Sequence, residues 1–226
     1  WRMSVDARTG FVYWGEIGPD ANGDGPRGPK GYDELNQARG PGNFGWPLFI
    51  ADNKPYADYD YATKSVGARF DPAHPLNDSR YNTGARELPP AQPAWIWYPY
   101  DASSEFPVLD APGGRTACAG PVYHFEPALA STTKFPAELD GRLFVYEWSR
   151  HWIKTVRMDA RGDVASIDSF LSDERFVRPV DMQFGPEGSL YLLEYGTTWG
   201  TNADARLVRI DYHTGNRAPV AHITAK

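Results

Sequence analysis

Apolar and polar residues alternate in short bursts along the chain, and three bursts share one pattern. They are Gly10-Phe11-Val12-Tyr13-Trp14-Gly15-Glu16, Gly141-Arg142-Leu143-Phe144-Val145-Tyr146-Glu147 and Gly188-Ser189-Leu190-Tyr191-Leu192-Leu193-Glu194. Each reads Gly, any residue, a β-branched or aliphatic residue, an aromatic, two residues, then Glu. Met3-Ser4-Val5-Asp6 precedes the first and Met182-Gln183-Phe184-Gly185 precedes the third. Turn-forming segments separate the runs, so each unit predicts strand, tight turn, strand. The step from Gly141 to Gly188 matches one four-stranded propeller blade, ~40–50 residues. The step from Gly10 to Gly141 fits two or three blades with insertions. Three unrelated hairpins would share the turn chemistry, but not the Glu at one fixed offset.

Further short strands are predicted at Pro93–Tyr98, Gly120–Phe125, Trp152–Met158 and Ala205–Tyr212, with a hairpin turn over Asp159–Asp163. No segment has a long helical period. The fold class is therefore all-β, a partial β-propeller of about three blades. Residues 1–212 form this part. Residues 213–226 read as a linker, followed by a segment that resembles the first strand of a PKD or Ig-like module, or equally a loose tail.

Composition supports the β reading. The chain has 226 residues with 22 Gly and 20 Pro, too many for a helical bundle. Its 8 Trp, 13 Tyr and 11 Phe require a core or a ligand surface, which excludes disorder. Net charge is −6 without a basic stripe, so nucleic acid is not an expected partner. No apolar run approaches the ~20 residues of a membrane span. The single cysteine, Cys118, cannot form an internal disulfide.

Candidate chemistry concentrates in two acidic segments. Asp20-Ala21-Asn22-Gly23-Asp24-Gly25 has the alternating oxygen donors of a calcium loop. The twelfth position is Gly31 rather than Glu, which disfavours an EF-hand; Asp33 and Glu34 follow as further carboxylate donors. In Tyr56-Ala57-Asp58-Tyr59-Asp60, extended backbone puts Asp58 and Asp60 on one side, where they and carbonyl oxygens can hold an ion. Solvated acidic turns are the other reading of both segments. Glu16, Glu147 and Glu194 end equivalent strands and permit a paired-carboxylate hydrolase, although repetition favours a structural role. Arg150, Arg175 and Arg178 border the blade entrances, where guanidinium forks suit carboxylate ligands. No histidine has zinc-type spacing.

Three motifs carry a family resemblance: Glu16-Ile17-Gly18-Pro19, Tyr32-Asp33-Glu34-Leu35-Asn36 and Gly42-Asn43-Phe44-Gly45-Trp46-Pro47. Together they resemble the central signature of the soluble glucose/sorbosone dehydrogenases, six-bladed propellers that use pyrroloquinoline quinone (PQQ) and calcium. Phe44 stands where that pattern usually has Tyr. The resemblance implies that the Gly18 and Pro19 backbone faces the cofactor calcium, with Asp33 nearby. It implies a structural calcium at Tyr56–Asp60, and PQQ carboxylates held by Arg178 and Arg175, with Arg150 near a family lysine position. The expected substrate is a sugar, oxidised by hydride transfer to PQQ, in a periplasmic or extracellular location. The family's base is a histidine of an earlier blade, so the expected partner is an N-terminal propeller half, and no catalytic residue is assigned here. The alternative is a non-catalytic, calcium-stabilised propeller that binds glycans or proteins.

Overall fold

The computed structural model describes residues 1–109 and 113–215. The segment read as a PKD-like start lies outside them. The described residues form fifteen strands: β1 (Met3–Val5), β2 (Val12–Glu16), β3 (Asp33–Ala38), β4 (Phe49–Ile50), β5 (Lys54–Pro55), β6 (Ala57–Asp60), β7 (Ser65–Arg69), β8 (Ile96–Tyr98), β9 (Ala117–Val122), β10 (Leu143–Glu147), β11 (Trp152–Met158), β12 (Val164–Phe170), β13 (Pro179–Phe184), β14 (Leu190–Glu194) and β15 (Arg206–Ile210). There is no α-helix among the described residues, only two short 3-10 turns. No described helix is long and apolar enough to cross a membrane.

Three antiparallel sheets follow one another along the chain, in the orders β1-β2-β3-β8, β12-β11-β10-β9 and β13-β14-β15. They are blades of a partial propeller, as the repeat predicts. Two small hairpins, β4-β5 and β6-β7, form an insertion between the third and fourth strands of the first blade. The three repeat glycines, Gly10, Gly141 and Gly188, all take positive φ (72°, 73° and 84°) in the turns before their strands.

Period-two alternation builds the core between blades. On β10, Leu143 and Val145 join Tyr13, Leu35, Ile96 and Tyr98 in a cluster between the first and second blades. Phe144 and Tyr146 point the other way, into a cluster with Phe176, Met182, Leu190 and Leu192 of the third. Small residues let the blades close. A β-carbon at Gly15 would collide with the Ala117 carbonyl, and one at Gly120 would press on the Met182 sulfur (2.8 Å).

The strand β3 departs from the sequence reading, which treated Asp33 and Glu34 as donors following a loop. Asp-Glu-Leu-Asn-Gln-Ala lacks apolar alternation, yet its first five residues are buried. Asp33, Leu35 and Gln37 face the second blade, while Glu34 and Asn36 face the insertion. Each polar side chain finds a partner there, and a polar strand needs that to stay buried.

Candidate functional site: the strand ends of the blades

The buried end of β3 is the most polar part of the interior. Asp33 Oδ1 accepts hydrogen bonds from Arg115 Nη1 (2.9 Å) and the Gly18 amide (3.2 Å), and Oδ2 accepts one from the Ala117 amide (2.9 Å). Arg115 Nη2 donates to the Pro19 carbonyl (2.9 Å), and the guanidinium lies 3.9 Å from the Tyr100 ring centroid. Burial pushes the Asp33 carboxyl up to about 6, against the amides and guanidinium that favour its charge.

On the opposite face, Glu34 accepts from the Ala51 amide (2.5 Å) and Asn36 Nδ2 (3.0 Å). The same amide group reaches Glu16 (3.4 Å), which sits directly across the β2–β3 ladder. Burial, with the Glu16 and Asp33 charges adding to it, pushes Glu34 up to about 7.

Two of the three repeated acids, Glu147 and Glu194, are structural latches, while Glu16 stays within its blade, accepting from Trp14 Nε1 (3.3 Å) and Asn36. Glu147 accepts from the backbone amides of Thr116 and Arg150 and from the Tyr98 hydroxyl (3.3 Å). Glu194 accepts from the Val177 amide (2.7 Å) and pairs with Arg206. Each ties the end of one blade strand to the loop entering a neighbouring strand.

A second cluster faces solvent between the second and third blades. The Arg178 guanidinium lies over Trp148 (4.7 Å) and Trp199 (5.3 Å), and the two indoles are 5.1 Å apart, with Tyr195 beside both. Arg178 Nη1 donates to the Thr198 carbonyl (3.2 Å), and its backbone N–H donates to His151 Nδ1 (3.2 Å). Desolvation, then the charges of Arg175 and Arg178, lowers the His151 pKa. A hydrogen bond to the Phe176 backbone opposes that shift.

The remaining predicted residues are dispersed. Asp20 accepts from the Tyr100 hydroxyl, Asn22 is exposed, and Asp24 accepts from the Lys30 amide (2.8 Å). Asp58 and Asp60 share the exposed side of β6, and Asp60 accepts from the amides of Ala62 (2.8 Å) and Thr63 (3.2 Å). Tyr56 is half-buried, and its hydroxyl has no partner. Arg175 is exposed. Arg150 donates to the carbonyls of Pro99 (2.7 Å), Gly114 (2.9 Å) and Leu109 (3.0 Å), which makes it a loop clamp. Among the described residues, no three His, Cys, Asp or Glu side chains converge as a metal site. Sequence reasoning missed Arg115, Trp148, Trp199 and His151. Arg115 is a lone arginine in a Gly-rich loop, and nothing local marks it.

For PQQ, a planar tricarboxylate, the donor set fits in part. The Arg178–indole stack suits a flat anionic ring. The Pro19–Asp33 oxygens do not fit the cofactor calcium, because the Arg115 guanidinium already occupies them.

No family model matches the chain, and no curated protein matches it. Among solved structures it is similar to an oxidoreductase (glucose dehydrogenase) from Thermus thermophilus, with 20% identity over 92% of this chain and 44% of that one, at a TM-score of 0.47. It is also similar to a glucose dehydrogenase, with 16% identity over 92% of this chain and 42% of that one, at a TM-score of 0.45. The chain thus spans less than half the length of these proteins.

Proposed function

We propose that the chain is the cofactor-holding part of a sugar dehydrogenase-like propeller that uses PQQ. The observation that carries this reading is the Arg178 guanidinium packed against both Trp148 and Trp199, which also touch each other, at the open strand ends. The Gly18–Pro47 signature supports it. Bound PQQ would supply a hydride acceptor for a sugar hydroxyl carbon. Arg178 would bind a carboxylate of the cofactor, and the indoles would stack on its rings. His151 would hold the backbone at Arg178 in place beneath the ligand through its Nδ1. Further blades complete the ring in this reading, and calcium at Asp58 and Asp60 belongs to the proposal.

Quenching of tryptophan fluorescence by added PQQ tests it. Saturable quenching that Arg178→Ala weakens at least about tenfold, the loss of one charge-assisted contact, is the expected result. Quenching that is absent, or equal in Arg178→Ala and wild type, would overturn it.

A second reading has its own observation. The loop over 19–29, Trp46, Pro47, Tyr56, Tyr59, Tyr61 and Phe70 line a cleft of about 570 Å³. Trp46 and Tyr61 are 53% and 76% exposed, an aromatic surface suited to stacking on sugar rings. Under this reading the protein is a non-catalytic glycan binder. Retardation in glycan-containing gels, lost in Trp46→Ala and retained in Arg178→Ala, separates it from the first.

A further inference from the structure

We infer that the guanidinium of Arg115 is the resident cation of the Pro19–Asp33 cradle, so that this site is built and held without a metal ion. The family resemblance assigns calcium to that place, and the geometry points elsewhere.

Four walls define the cradle. The Asp33 carboxylate takes Nη1 at 2.9 Å, and the Pro19 carbonyl takes Nη2 at 2.9 Å. The Tyr100 ring closes one face at 3.9 Å. Gly31 closes the remaining side, because a β-carbon there would meet the Pro19 carbonyl oxygen and sit 2.6 Å from Nη2. The side chains of Arg115 and Asp33 are 1% and 0% exposed.

A calcium ion needs six to eight oxygens at ~2.3–2.6 Å. Here the two anchoring oxygens are already spent on a second cation. Asp33 has both oxygens engaged, and the Pro19 carbonyl also accepts from the Ala21 amide (2.8 Å). An ion placed among them would lie against the guanidinium, and like charges at that separation repel strongly in a buried site.

The polar atom left over in the cradle points the same way. Arg115 Nε is buried without a partner. It can only donate, so it suits a water or an anionic oxygen and offers a cation nothing. The planar fork of arginine, always charged, matches a carboxylate and a carbonyl held side by side.

The inference is independent of PQQ binding, because its test reads the calcium dependence of stability. The full-length protein is stripped with EGTA, and its thermal midpoint is followed as calcium is added. Any calcium response should be the same within about 1 °C in the wild type and in Asp33→Asn, since an ion that does not bind this cradle adds no stability through it. Arg115→Met should lower the midpoint by roughly 10 °C, because it leaves a buried carboxylate unpaired. Asp33→Asn combined with Arg115→Met should recover most of that loss. The double variant keeps the test decisive even if the single one fails to fold. A calcium-dependent rise that Asp33→Asn leaves intact places an ion elsewhere and agrees with the inference. A saturable rise that Asp33→Asn abolishes, while Asp24→Asn and Asp60→Asn retain it, would overturn it.

Discussion

Glu147 illustrates how much of this molecule is decided by single side chains at strand ends. Its carboxylate holds two backbone amides and the Tyr98 hydroxyl, and it is fully buried. Burial pushes its pKa up to about 7, with the Asp33 charge adding to the shift and the amides opposing it. The native state therefore binds more protons than the unfolded chain between about pH 4.5 and 7. The stability this group contributes is complete below the unfolded pKa and is lost as pH rises through the folded one. Glu147→Gln should remove up to about 1.4 kcal/mol per pH unit from the downward slope across that window. It should also lower stability by about 1–3 kcal/mol, through the amide left poorly paired. Urea unfolding at pH 5, 6 and 7 reads both effects, and an unchanged slope would refute the assignment. Glu34, also near 7, leaves a residual slope in the variant. The shared Glu was legible in the sequence as a repeated position. Its partner was not, because Thr116 lies 31 residues away and contributes only a backbone N–H.

At the scale of elements, strands bounded by turn glycines and alternating in hydrophobicity were readable. The strand β11 matches its predicted limits, and β2, β10 and β14 sit within the three repeat units. The polar strand β3 was not readable, because its burial depends on partners far off in sequence, such as Arg115 for Asp33 and the Gly162 carbonyl for Gln37 (3.0 Å). Two glycines of one repeat unit separate local from tertiary constraint. Gly10 has open space around a β-carbon but φ of 72°. Gly15 has no positive φ, and a β-carbon there would run into the Ala117 backbone of the neighbouring blade. Gly10→Ala should cost about 1 kcal/mol of conformational strain. Gly15→Ala should cost about 3 kcal/mol or more, because rigid backbone must move and the first two blades must separate. Denaturant midpoints of the two variants rank them, and equal midpoints would contradict the close approach of β2 to β9.

At the largest scale, the three blades among the described residues share two interfaces and leave two outer faces. The interfaces are filled by the alternating side chains of β10, while the outer faces keep apolar residues in the open. Met3 and Val5 are 65% and 63% exposed on the first blade, and Leu193 and Leu207 are 44% and 58% exposed on the third. Side chains at these positions have the same period as those that meet inside the interfaces, so in the proposed ring they are the contact residues of further blades. The sequence announced this scale early, since a count of three blades falls short of a closed propeller. It could not show which faces stay open, because a strand buried on both faces and a strand buried on one can carry the same short apolar run. Leu207→Asp in the full-length protein decides between covered and open. If a further blade packs on β15, the substitution removes a buried leucine and buries a charge, so a loss of at least about 2–3 kcal/mol is expected. If the face meets only water, the change stays within about 0.5 kcal/mol, as for surface positions generally. Tyr191→Phe is the control on the same face, since it keeps the ring and removes only a hydroxyl held within the blade by Glu187 (2.6 Å). A loss confined to Leu207→Asp supports the closed ring, and a neutral Leu207→Asp places the outer face of the third blade in solvent and removes the further blades from the proposed function.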